Sequence, residues 1–188
     1  MRSMRFFTVS TLSLLLLLTL TACSDRSPGA VVERIPQYYA TTTGFSARVR
    51  ALVNRGSSEN EFTLDWTYSN EGSEICIVAP DSVAGVRAGF SPDAHTVEYA
   101  GEALVIPETI SPVEALPMLS RCWTGTPSEY SGSEGRVQTV SFETLGDNAL
   151  EFRTTFDTAT LNPLEAEVFV NGTRMVTFVF DQFGAMLN

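Results

Sequence analysis

Cys76, Cys122 and His95 are the side chains whose types could carry nucleophilic chemistry in the body of this chain. His95 is the single His among 188 residues, so any Cys-His or Ser-His-Asp device would have to use it. It lies in a Pro-Asp-Ala-His turn, with no nucleophile motif beside it. All 12 basic residues are Arg. Without Lys there can be no Schiff base, no Ser-x-x-Lys acyl-enzyme and no Walker lysine. A zinc site on two or three His is excluded by the same count. Gly132-Ser133-Glu134-Gly135 imitates a nucleophile elbow, but Ser131 stands where the pattern needs Gly, and a polar loop leads into it rather than a strand. Glu165 and Glu167 share one strand face, the arrangement of a glycosidase pair, yet a solvated outer face accounts for them. Asn171-Gly172-Thr173 matches a glycosylation sequon, but it falls in a tight hairpin and is set aside. No catalytic residue, metal site or cofactor is assigned.

The remaining cysteine has a different context. Arg2 and Arg5 precede an apolar run from Phe6, unbroken from Leu14 to Leu18, that ends in Leu20-Thr21-Ala22-Cys23. A basic start, a short apolar run and small residues before a cleavage point make a signal peptide. The run is short for a membrane span, which needs about 20 apolar residues. The last four residues match the lipobox of bacterial lipoproteins. That resemblance implies that the Cys23 thiol takes a diacylglyceryl group and that cleavage leaves it as the first residue. The expected organisation is a cleaved signal peptide over 1–22, a lipidated tether over 23–30 and a single domain over 31–188. The chain is then exported and lipid-anchored to the outer face of the cell membrane.

Cleavage removes two Arg and no acid, so the formal charge moves from −10 to −12. Either value argues against nucleic acid, whose phosphates need clustered cations. A bacterial membrane surface is itself mostly anionic, so acyl chains must hold the domain there.

The elements that would position a site are mostly strands. Phe45 to Val53 places apolar residues at every odd number, and Phe62 to Tyr68 at every even number. That period of two predicts half-buried strands. Glu74–Val78, Val83–Phe90, Thr96–Tyr99 and Ala103–Ile106 are further strand candidates. Arg136–Glu143, Ala149–Phe156, Leu164–Val170 and Arg174–Phe180 complete the set. Asn171-Gly172 predicts a two-residue hairpin turn. Val31–Tyr39 could form a short helix that Pro36 would end or kink. Ser111-Pro112-Val113-Glu114 has the residues of a capping box, after which Leu116, Leu119 and Trp123 share one face. Pro117 predicts a kink in that helix. Thr126–Gly135 reads as a polar loop. The expectation is a mainly β (α+β) domain, with nine or ten antiparallel strands and one main kinked helix.

One helix covers little area, so such a sheet must curl to bury its inner face. The aromatic strand faces would then line an apolar concavity, with Phe62, Leu64, Trp66, Tyr68, Leu116, Leu119 and Trp123 as its groove. Cys76 and Cys122 either form a disulfide, allowed by export, or pack as two buried thiols.

The order of these pieces resembles the LolA/LolB-like lipoprotein-carrier superfamily, and within it the germination-lipoprotein-like proteins of Gram-positive spore formers. The residues that carry the resemblance are Phe45–Val53, Glu61–Trp66, Val78-Ala79-Pro80 and Ala84-Gly85-Val86. Glu98–Gly101, Ser111–Pro117, Asn162–Glu167 and Phe178–Phe183 follow in the same order. The resemblance implies a strongly curved half-barrel with helices in its mouth and no enzyme activity. It implies two kinds of partner: a lipid or acyl chain in the concavity, or an envelope protein such as a cell-wall amidase in sporulation or germination. A soluble carrier has no anchor, so Cys23 favours an acceptor or surface adaptor over a shuttle. No acyl-binding residue matches individually.

Overall fold

A computed structural model describes residues 27–54, 56, 58–91, 94–105 and 115–187. The signal sequence, Cys23 and the Ser111–Glu114 capping box lie outside these residues. Eleven strands form one antiparallel sheet in the order β6-β5-β4-β3-β2-β1-β11-β10-β9-β8-β7. They are β1 (Thr42–Asn54), β2 (Glu59–Ser69), β3 (Gly72–Ala79), β4 (Arg87–Phe90), β5 (His95–Tyr99) and β6 (Glu102–Val105). The second run is β7 (Glu129–Ser133), β8 (Arg136–Leu145), β9 (Asn148–Asp157), β10 (Pro163–Val170) and β11 (Thr173–Leu187). Two meanders, one from each half of the chain, are joined where β1 pairs with β11. The sheet is curved and does not close.

The alternation seen in the sequence becomes the inner face. Ala47 lies opposite Trp66 and Val49 opposite Leu64. On the other side Val49 faces Phe180 and Ala51 faces Phe178. The hairpin at Asn171-Gly172 forms, with φ of 48° and 80°. Positive φ at both turn positions matches the right-handed twist of the flanking strands, and Asn and Gly tolerate it best.

Three strand expectations change. Val83–Phe90 contracts to Arg87–Phe90, because Asp81–Gly85 forms turns. The polar stretch contains β7, whose five residues are all exposed and so carry no apolar alternation. The last strand runs on to Leu187, because a bulge leaves Asp181 unmatched between Phe180 and Gln182. Asp181 then accepts from Arg50 Nε at 2.9 Å on the outer face.

Two helices lie on the inner side, the main one and the short one expected near Val31–Tyr39. Helix α1 (Pro28–Ala40) starts inside the expected tether. The Ser27 side chain caps it by accepting from Ala30 N at 3.4 Å, and Pro28 takes the first-turn position that needs no N–H. Pro36 sits within the helix without ending it. Val31, Ile35 and Tyr39 recur every four residues, and their burial outweighs the lost hydrogen bond. Tyr39 also donates its hydroxyl to Leu161 O at 2.9 Å, and burial raises its pKa. Helix α2 (Ala115–Thr124) carries Pro117 in the first turn of its described length, where a missing N–H costs least.

The β9–β10 connection gives a pH prediction. Asp157 Oδ1 accepts from Thr160 N at 2.7 Å, Thr160 Oγ1 at 2.9 Å and Ala159 N at 3.0 Å. The Thr160 N–H bond, more than any other contact, holds this carboxyl below its usual range. A lowered folded pKa stabilises the protein above the unfolded value, about 4, and that stability is lost as pH falls through the folded value. Asp157→Asn should therefore cost about 1 kcal/mol at pH 7, given its solvent exposure. In urea titrations at several pH values the difference from wild type should shrink below about pH 4. A constant difference across pH would refute the carboxylate's role.

Candidate functional site

The residues expected to line a groove do meet on the inner face. Trp66 comes from β2 and Trp123 from α2, with ring centroids 5.9 Å apart. Phe45 lies 4.7 Å from Trp66 and stacks on Tyr68 at 4.9 Å. Trp123 also touches Tyr39, Phe156, Phe180 and Phe183 at 4.9–6.1 Å. Its Nε1 donates to Thr154 Oγ1 at 3.2 Å, while Trp66 Nε1 donates to Ser73 Oγ at 2.7 Å. Both indole N–H groups are thus satisfied inside the core.

Among the described residues these side chains pack against one another. Leu64, Trp66, Leu116, Leu119 and Trp123 are each at most 2% exposed. Phe62 and Tyr68 are half-buried at the margins of the same cluster. Sequence reasoning found these residues but missed their cover. Helix α1 adds Val31, Val32, Ile35 and Tyr39 to the inner face, which a single helix could not have filled.

The cysteines are both free. Ile75 faces the core, so its neighbour Cys76 points to the outer face, level with Asp65 and Arg87. Cys122 is buried in α2 on the inner side. The sheet separates them, which is why the bridge does not form. Burial pushes the Cys122 thiol up to about 12. At pH 8 its thiolate fraction is then about 10⁻⁴. Thiol titration of the chain made without residues 1–23 should find one reactive group when folded and two when unfolded without reductant. None after unfolding would mean a bridge.

His95 packs against Phe90 at 5.2 Å on the inner side, with Nδ1 buried and lacking a partner. It shares no face with Cys76. Glu167 accepts from Arg174 Nη1 at 2.9 Å, so the Glu165/Glu167 pair is part of the outer charged surface. Ser133 and Gly135 belong to a strand–turn–strand hairpin. Among the described residues, no three His, Cys, Asp or Glu side chains group to hold a metal. No described helix is long and apolar enough to cross a membrane.

The outer face is a charged lattice. Arg48 pairs with Asp65, Arg50 with Asp181, Arg87 with Glu74, Arg153 with Glu151 and Arg174 with Glu167. Each of these Arg is matched, and the further acids Glu59, Glu61, Glu98 and Glu165 leave the face net negative. Arg153 also lies 4.5 Å over the Phe169 ring, close to exposed Phe142 across the β9 strand. Two shallow depressions of about 510 and 500 Å³ mark this side, sharing Thr67.

No family model matches the chain, and no curated protein matches it. Solved structures do. An uncharacterized conserved protein from Thermus thermophilus aligns at 10% identity and a TM-score of 0.51, over 84% of this chain and 86% of its own. A chain from the CwlD amidase of Clostridioides difficile in complex with the GerS lipoprotein aligns at 15% identity and a TM-score of 0.51. That match spans 84% of this chain and 95% of the other. The fold is a curved, open antiparallel half-barrel. A LolA superfamily protein from Nitrosomonas europaea aligns more loosely, with a TM-score of 0.38 at 9% identity over 86% of this chain and 94% of its own, and supports nothing further. At such identities the half-barrel is what the likeness establishes. The shared architecture sets the sheet, the inner helices and the exposed outer face, and leaves ligand and partner to this chain's own residues.

Proposed function

We propose that this chain is an exported lipoprotein, held at the membrane by acylated Cys23, that works without catalysis as an adaptor for another envelope protein. The observation that carries this reading is the burial of Leu64, Trp66, Leu116, Leu119 and Trp123 against one another. Residues that would have to contact an acyl chain are packed against one another, so recognition falls to the outside of the half-barrel. There the charged lattice suits a partner with a basic or hydrogen-bonding surface. Arg153, Phe169 and Phe142 supply the aromatic and Arg content typical of interface hot spots. The GerS lipoprotein, seen in complex with an amidase, supports a cell-wall hydrolase as the kind of partner. Cross-linking on intact membranes, followed by capture of the lipidated chain, tests it. A stoichiometric envelope hydrolase is the expected result, and capture of the chain alone would overturn it.

A second reading is carriage of a lipid or of a lipidated partner on the inner face. Half-buried Phe62, Ile77, Val97 and Met118 favour it, because they leave part of the apolar face incompletely covered. Native mass spectrometry after gentle extraction would reveal a bound acyl mass if this reading holds.

A further inference from the structure

We propose that the β7 edge and the start of α1 form the face that this domain lays on the membrane, with Tyr130 at the lipid interface. This rests on the reading of Cys23 as the lipid anchor.

The argument starts from the end of the tether. Cys23 and Pro28 are five residues apart, a span of at most about 18 Å even when fully extended. A domain of this length has a radius of gyration of about 15 Å, equivalent to a sphere of about 20 Å radius. Its centre therefore cannot approach the headgroups closer than about 20 Å. A surface point held within about 18 Å must belong to the membrane-facing half.

That point is fixed on β7. A Cβ added to Gly132 would meet the Pro28 ring atoms at 2.5 Å, so the helix start rests directly on the bare backbone of this strand. The space beside Gly29 is taken by the Tyr130 hydroxyl, which lies 3.2 Å from where a Cβ would stand. Val31 N donates to Ser27 O at 3.1 Å and Val31 is fully buried, which locks the first turn to the domain. The tether thus leaves from a defined corner.

The chemistry of that corner suits an interface. Tyr130-Ser131-Gly132-Ser133 is a run without charge between Glu129 and Glu134, in a chain of net charge −10. An anionic bilayer repels the acidic outer face more than this edge, whose two carboxylates, Glu129 and Glu134, stand at the ends of the uncharged run. Tyr130 is 55% exposed on a strand that pairs only with β8. An amphipathic phenol at headgroup depth is the usual occupant of a membrane–water boundary.

The test uses the acylated full chain in vesicles of phosphatidylcholine and phosphatidylglycerol carrying brominated acyl chains, with tryptophan fluorescence as the readout. Tyr130→Trp is compared with Tyr99→Trp. Tyr99 is also 55% exposed, but it lies on β5, nine strand steps or about 43 Å along the sheet. The native Trp66 and Trp123 are buried and contribute equally to both variants. Quenching of Tyr130→Trp should exceed that of Tyr99→Trp by at least about threefold. Equal or reversed quenching in protein that floats with the vesicles would overturn the orientation and leave the anchor intact. Failure to float, with Cys23 unmodified by mass spectrometry, would overturn the anchor reading and the orientation with it.

Discussion

Trp123→Ala is expected to lower the unfolding free energy by about 3–5 kcal/mol, the range for removing a large buried aromatic. Trp123 is 2% exposed and touches six rings drawn from α1, β1, β2, β9 and β11. Those elements are backbone-rigid strands and a packed helix, so they cannot collapse far into the space left behind. The Thr154 hydroxyl, itself buried, would also lose its donor from the indole. At about 2–4 °C per kcal/mol for a domain of this size, the midpoint should fall by roughly 6–20 °C. Urea titration should show a lower midpoint with an unchanged slope, since the same surface is still exposed on unfolding. Tyr130→Ala, at an exposed site, should stay within about 0.5 kcal/mol of wild type. The variant also decides between the functional readings. A loss below about 1 kcal/mol would mean that α2 lies loosely over an open concavity, and lipid carriage would then displace the adaptor reading.

Which parts of this architecture could be read from the chain depends on whether a residue's neighbours are local. Phe45–Val53 and Phe62–Tyr68 announce themselves because each strand has one wet face and one dry face. Asn171-Gly172 announces itself because its backbone requirement is local. Glu129–Ser133 gives no signal, since it is paired on one side only and exposed throughout. The continuation of β11 is hidden for a related reason. Asp181 breaks the alternation locally, and the bulge that absorbs it is visible only in the pairing with β1, where Asp181 also meets Arg50.

The candidate site was legible as a set and not as a shape. Leu64, Trp66, Leu116, Leu119 and Trp123 share the inner face, as their spacing predicts. Whether they line a groove or a core depends on how much helix lies over them. Pro36 suggested an end or a kink in the first helix, and Val31, Ile35 and Tyr39 bury enough apolar surface to carry the helix through it. That helix lies over the inner face beside α2 and packs into the same core. Burial on that scale is a tertiary effect, which local propensity does not contain.

Cys23→Ala is expected to abolish membrane attachment. The cleanest form of the experiment is the mature chain from position 23, made without residues 1–22, compared with the acylated protein in vesicle flotation. A single fatty chain gives only marginal binding, near 10⁴ M⁻¹, whereas two chains anchor stably. The diacylglyceryl group inferred on Cys23 supplies two. With them gone, the domain offers the bilayer only the short uncharged run Tyr130–Ser133, bordered by Glu129 and Glu134, and its net charge of −12 opposes approach to anionic lipid. Partition should fall by more than about 10³-fold on neutral and anionic vesicles alike. Raising the salt should not release the acylated protein, because hydrocarbon burial and not ion pairing holds it. Flotation of the Cys23→Ala chain to the same extent as wild type would locate the anchor elsewhere, and would remove the tether geometry on which the orientation of β7 depends.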